Sequence, residues 1–163
     1  MKNYFSLALL MCLALPLRLG ASGPELLGIS FKQSQPSVDD DLAGSVEDPA
    51  WLQRTIDQDS RIMQRVTQIR YQIVGRADPS ECADAQCNAL ALRRAQLFQD
   101  ALVRSGVPRS QFCSPIALGP PWPPEYQAKR EELMFARQAA VEPVFHGCAP
   151  NNSFKPTPLR GAA

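Results

Sequence analysis

The chain has 163 residues, with 17 Lys and Arg against 16 Asp and Glu, a net charge of +1. Such a balance excludes the basic footprint of a nucleic-acid or anionic-membrane binder, and the length fits one domain with ample chain for one core. Fifteen prolines are many; they gather between Pro115 and Pro124 and again in the tail.

In chain order, Lys2, the apolar run from Tyr4 to Leu17 and the small residues Gly20 to Gly23 read as a secretory signal peptide, residues 1–22. A lipoprotein reading would use Cys12, but Met11 stands where a small residue is needed, so ordinary cleavage near residues 21–23 is preferred. Leu27–Phe31 is a short strand. The acidic run Asp39, Asp40, Asp41 is a solvated loop, since it lacks the glycine and distal Glu of a calcium loop. Asp48-Pro49 starts a helix, the acid as cap and the proline in the first turn. Trp51, Leu52, Ile56, Ile62, Met63 and Val66 form its apolar stripe, the face that packs on a sheet.

The segment from Ile69 to Gly106 organises the rest. Ile69, Tyr71 and Ile73 alternate with Arg70 and Gln72, the period-two pattern of a half-buried strand. Gly75 ends that strand and Asp78-Pro79 opens a turn. From about Asp84 the period is helical, gathering Leu90, Ala91, Leu97, Phe98, Ala101 and Leu102 on one arc. Arg94 falls inside that arc. A guanidinium cannot be deprotonated and is costly to bury unless an anion meets it. Either it snorkels past the helix edge or pairs structurally with Asp78 or Asp100, or Asp78 and Arg94 face the two ends of a zwitterionic ligand.

Beyond the helix, Gln111–Leu118 reads as an edge strand and residues 119–124 as a stiff polyproline connector, with Trp122 covering the core rather than facing a ligand. Glu125 to Gln138 reads as a charged helix with Tyr126, Leu133 and Met134 inward; Arg130 and Arg137, flanking that face, read as solvated rather than as reaching an acidic ligand. Val141–Phe145 is a last strand, which Pro143 places at an edge. Residues 149–163 are polar, proline-containing and aperiodic, a disordered tail. The alternation of strands and helices argues an α/β (α+β) sandwich, helices on one face of a mixed sheet.

The residues GRAD (75–78), DAQCNALALRRAQ (84–96) and LVRSGV (102–107) resemble the OmpA-like peptidoglycan-binding domain family. The resemblance covers roughly residues 25–146, and the domain is placed at 23–148. It implies an OmpA-like βαβαβ(α)β arrangement with a mixed four-stranded sheet. It also implies a site that grips the diaminopimelate of the peptidoglycan stem peptide, Asp78 taking the amino group and Arg94 the carboxylate. The family's loop asparagine aligns with Cys87, and Asn88 beside it is the candidate ligand residue. The chain departs from the pattern at Ala77 and Ala91, where the family has Thr and Ser. At Gln138-Ala139-Ala140-Val141-Glu142 two family arginines are missing.

Removing the signal leaves Cys82, Cys87, Cys113 and Cys148, an even count that in an exported chain reads as disulfides. Cys82 and Cys87 flank the loop after Asp78 and close it locally. Cys113 and Cys148 are expected at the same end of two antiparallel strands. A zinc site on these cysteines with His146 is the poorer reading, given the spacings and compartment. Three functional classes follow. The first is a periplasmic module binding peptidoglycan non-covalently; the second is an OmpA-like scaffold that has lost wall binding and acts through an envelope protein. The third is an enzyme, which the lone His146, two residues from Cys148, does not equip. No cofactor or nucleic-acid partner is implied.

Overall fold

The structure is a computed structural model; residues 25–120, 136–145, 147 and 148 are described. The expected signal peptide, Trp122, Arg130, nearly all of the 125–138 helix, His146 and the tail lie outside them. The elements are β1 (Gly28–Ser30), α1 (Leu42–Ser45), α2 (Pro49–Arg65), β2 (Arg70–Arg76), α3 (Asp84–Arg104), a 3-10 turn (Arg109–Gln111), β3 (Ile116–Leu118) and β4 (Gln138–Val144). The strands form one mixed sheet in the order β1-β4-β2-β3, with β4 antiparallel to both neighbours and β2 parallel to β3.

Two helices start and run as the sequence dictates. Asp48 caps α2 by accepting from the N–H groups of Ala50 and Trp51, with Pro49 in the first turn. Helix α3 buries Ala91, Ala95, Phe98, Ala101 and Leu102. Ala95, Phe98, Ala101 and Leu102 join Leu52, Ile56 and Met63 of α2 in one core over Ile29, Tyr71, Ile73, Ala139 and Val141, so both helices cover the same face of the sheet. Trp51 departs from the expected stripe: it is 39% exposed, and its Nε1 donates to the Gly28 carbonyl at 3.0 Å.

Other sequence expectations are corrected. The acidic run does not stay loop to its end, because Asp41 accepts from the Gly44 N–H and caps the short α1. Only Ile116–Leu118 of the expected 111–118 strand is extended; Gln111 closes the 3-10 turn. Gln138 begins β4 instead of ending a helix. β4 is an inner strand, not an edge. Its pairing with β1 stops at Ala140, however, so Pro143 lies where β4 has a neighbour on one side only and its missing N–H breaks no second ladder.

Gly75 does not end β2 but sits inside it, in register with Ala117 on one side and Ala139 on the other. A Cβ at this position would lie 1.9 Å from the Ala91 carbonyl oxygen, so the α3 backbone rests directly on the strand. The small row Ala117, Gly75 and Ala139 is what lets α3 approach that closely. That approach carries Arg94, three residues beyond Ala91, into the interior.

Both expected disulfides are present. Cys82 is bonded to Cys87 and Cys113 to Cys148. β3 and β4 run oppositely with β2 between them, which puts the approach to β3 and the exit of β4 at the same end. All four cysteines being so engaged, none is left as a zinc ligand. Two disulfides fit an exported protein.

Candidate functional site

The junction between β2 and α3 carries the site. Arg94 is completely buried, and all five of its N–H donors are used. Nε donates to the Gln35 carbonyl at 2.8 Å, and Nη1 to the Arg76 carbonyl at 2.8 Å and to Glu81 Oε2 at 2.9 Å. Nη2 donates to Glu81 Oε1 at 2.8 Å and to the Lys32 carbonyl at 3.3 Å. The Phe31 ring closes one side, 5.2 Å from the guanidinium carbon.

The anion that meets Arg94 is therefore Glu81, neither Asp78 nor Asp100. Glu81 holds the guanidinium as a bidentate fork, and its side chain is 1% exposed. Its two oxygens accept two further hydrogen bonds, Oε1 from the Ser34 N–H at 2.8 Å and Oε2 from the Asp78 N–H at 2.9 Å. Four donors from three segments thus surround one carboxylate. Asp100 instead pairs with Arg109 on the surface.

Local chain chemistry explains how an acid in an exposed loop turns inward. Asp78 Oδ1 accepts from the Ser80 N–H at 2.8 Å, and the Glu81 N–H donates to the Asp78 carbonyl at 3.0 Å, an Asx turn inside a β-turn. The turn returns position 81 toward β2. From the other side, Ser34 adopts a left-handed conformation (φ 56°) and gives both its N–H and its hydroxyl to Glu81, the latter to the carbonyl at 3.2 Å. The sequence marks Asp78-Pro79-Ser80-Glu81 as a turn; its closure back onto an arginine thirteen residues on is a tertiary fact.

The other candidate residues are placed as follows. Asp78 is buried at the same carboxylate, reaching it through its backbone. Asn88 is exposed one turn into α3, and its Oδ1 accepts from the Gly119 N–H at 3.2 Å, tying the helix to the exit of β3. Cys87, at the position of the family's loop asparagine, is buried with Ala77 and Ala91. Arg76 pairs with Glu142 at 3.3 Å, and Arg137 with Glu47 at 3.1 Å. Among the described residues no cluster of His, Cys, Asp and Glu has the makings of a metal site.

A second buried carboxyl lies away from this site, on α2. Asp59 is fully buried, its Oδ1 accepting from the Leu27 N–H at 3.0 Å. Among the described residues Oδ2 finds no donor, and neither does the Thr55 hydroxyl oxygen one turn earlier an acceptor or donor. Burial pushes the Asp59 pKa from 3.8 up to about 7, the Leu27 hydrogen bond opposing it.

No family model matches the chain, and no curated protein matches it. Solved structures do. The peptidoglycan-associated lipoprotein from Burkholderia pseudomallei is similar at 20% identity and a TM-score of 0.56, over 77% of this chain and 98% of that one. The periplasmic domain of Helicobacter pylori MotB is similar at 17% identity and a TM-score of 0.51, over 73% and 70%. At these identities the likeness establishes the fold, which is the OmpA-like α/β fold that the motif resemblance implied.

Proposed function

We propose that the protein is a periplasmic, cell-envelope module that binds peptidoglycan non-covalently, taking the diaminopimelate zwitterion of the stem peptide between Asp78 and Arg94. The observation that carries this reading is the carboxylate seat at Arg94. On an OmpA-like fold, the guanidinium fork and the N–H groups of Ser34 and Asp78 hold a carboxylate through four hydrogen bonds at the junction of β2 and α3. Such binding needs only charge complementarity and hydrogen bonds; no bond is broken. The signal-like N-terminus and two disulfides fit the compartment in which peptidoglycan lies.

One observation favours a second reading. The seat is filled by the chain's own Glu81, so a scaffold that no longer uses this arginine for the wall, and works through an envelope protein, has the same fold and the same ion pair. A pull-down on purified sacculi separates the two. The mature wild-type chain and its Glu81→Ala variant are incubated with diaminopimelate-containing sacculi, with and without free meso-diaminopimelate. Retention of either chain, reduced by the free amino acid, is the expected result. If neither chain is retained, the peptidoglycan reading falls and the scaffold reading stands.

A further inference from the structure

Glu81 sits next to Cys82, and Cys82 is bonded to Cys87 in the first turn of α3. That turn is otherwise weakly begun. The residue before it, Ala83, offers no side-chain cap, and its carbonyl takes the Gln86 and Cys87 N–H groups. The disulfide therefore does covalently what a capping side chain does elsewhere: it fixes the loop 78–83 against the helix. Glu81 is bound into its seat from the loop side, and the staple restricts the conformations the loop gains by leaving.

We infer that Glu81 is a displaceable internal occupant of the carboxylate seat, and that the Cys82–Cys87 bond is the latch that keeps it there. This rests on the reading of Arg94 as a carboxylate receptor and adds its regulation. With the latch closed, the seat is satisfied internally and an external carboxylate competes with a tethered one. With the latch open, residues 78–87 gain freedom, the first turn of α3 frays, and Glu81 exchanges for an external carboxylate. Opening is a thiol–disulfide exchange with a dithiol reductant. Its thiolate attacks Sγ of Cys82, the less buried of the two residues, and Cys87 Sγ leaves and takes up a proton. The reductant's second thiol then displaces Cys82, which is protonated in turn, and the reductant leaves as a disulfide. Two electrons and two protons pass to the protein.

Two readouts test the latch. The first needs no wall ligand: amide hydrogen exchange at Ser34 and Asp78, whose N–H groups both end on Glu81. In Cys82→Ser/Cys87→Ser, with Cys113–Cys148 intact, protection at both amides should fall at least about tenfold while that at Phe98 holds. Unchanged protection at Ser34 and Asp78 overturns the proposal. Should Phe98 lose protection too, the same exchange is read on wild-type protein opened by graded dithiol, in molecules that alkylation shows to be reduced only at Cys82 and Cys87. The second readout is sacculus retention. The double variant should bind at least about tenfold better than the oxidised wild type, because the competent fraction sets apparent affinity. Equal retention of the two overturns the latch and leaves peptidoglycan binding standing. Loss of protection with no retention of the double variant, the wild type or Glu81→Ala leaves the loop latched but overturns the seat as a wall receptor.

Discussion

Two of the buried acids, Glu81 and Asp59, are treated oppositely. Glu81 is surrounded by four donors, two of them from a guanidinium, on a loop stapled by a disulfide. Asp59 has one donor, the Leu27 N–H, and an oxygen with none among the described residues. Both are equally dry. Burial alone therefore does not decide the state of an acid; the donors brought to it do. Asp59 answers desolvation by holding its proton up to about pH 7, whereas Glu81 answers it with an ion pair.

The largest break in this contrast is Arg94→Ala. It strands Glu81 as a buried charge with backbone donors only, and the loss of stability should be about 3–5 kcal/mol. Chemical denaturation at pH 7 measures it. Asp59 is broken in the other direction. Its folded-state pKa lies above the ordinary 3.8, so the folded protein binds the proton more tightly than the unfolded chain. Its contribution is complete below about pH 4, falls as the pH rises, and is gone above about pH 7. Asp59→Asn should remove this slope and stabilise the protein at pH 8 by about 2–4 kcal/mol. Denaturation of both chains from pH 4 to 8 shows whether the slopes differ.

Two smaller changes sharpen the comparison. Gly75→Ala forces α3 away from β2, since the new Cβ meets the Ala91 carbonyl, and moves the helix that carries Arg94. About 1–3 kcal/mol should be lost, with reduced exchange protection at Ser34 and Asp78. Asp48→Ala removes the α2 cap, far from either carboxyl in the chain, and should cost about 1 kcal/mol with the pH slope unchanged. A changed slope would mean that the Asp59 environment depends on the helix start.

Much of the scaffold was legible because it rests on local rules. Asp48-Pro49 announced α2, the period change at Asp84 announced α3, and Arg94 stood out as a cation on an apolar arc. The cysteine pairs followed from an even count and from the ends of the strands. What stayed hidden depends on tertiary closure. Glu81 is one acid among several in a polar loop, and only the turn at Asp78 together with Ser34, more than forty residues earlier, makes it the partner of Arg94. Gly75 read as a strand end because its use, the close passage of α3, lies in the packing. Asp59 was more accessible than it looked: it falls on the arc of Leu52, Thr55, Ile56 and Met63, where an acid is as anomalous as Arg94 is on α3.

The seat at Arg94 is filled by Glu81, which Asp78 reaches through its backbone N–H. A double-mutant cycle tests it most directly, with Glu81→Leu and Arg94→Met alone and together, and a parallel cycle of Asp78→Ala with Arg94→Met. Each single change strands a buried charge, whereas the double change leaves apolar groups in its place. A Glu81–Arg94 coupling of about 2–3 kcal/mol is expected, the double variant recovering much of what either single loses. The Asp78–Arg94 coupling should be much smaller. A Glu81–Arg94 coupling below about 0.5 kcal/mol, or a larger one for Asp78, would contradict it.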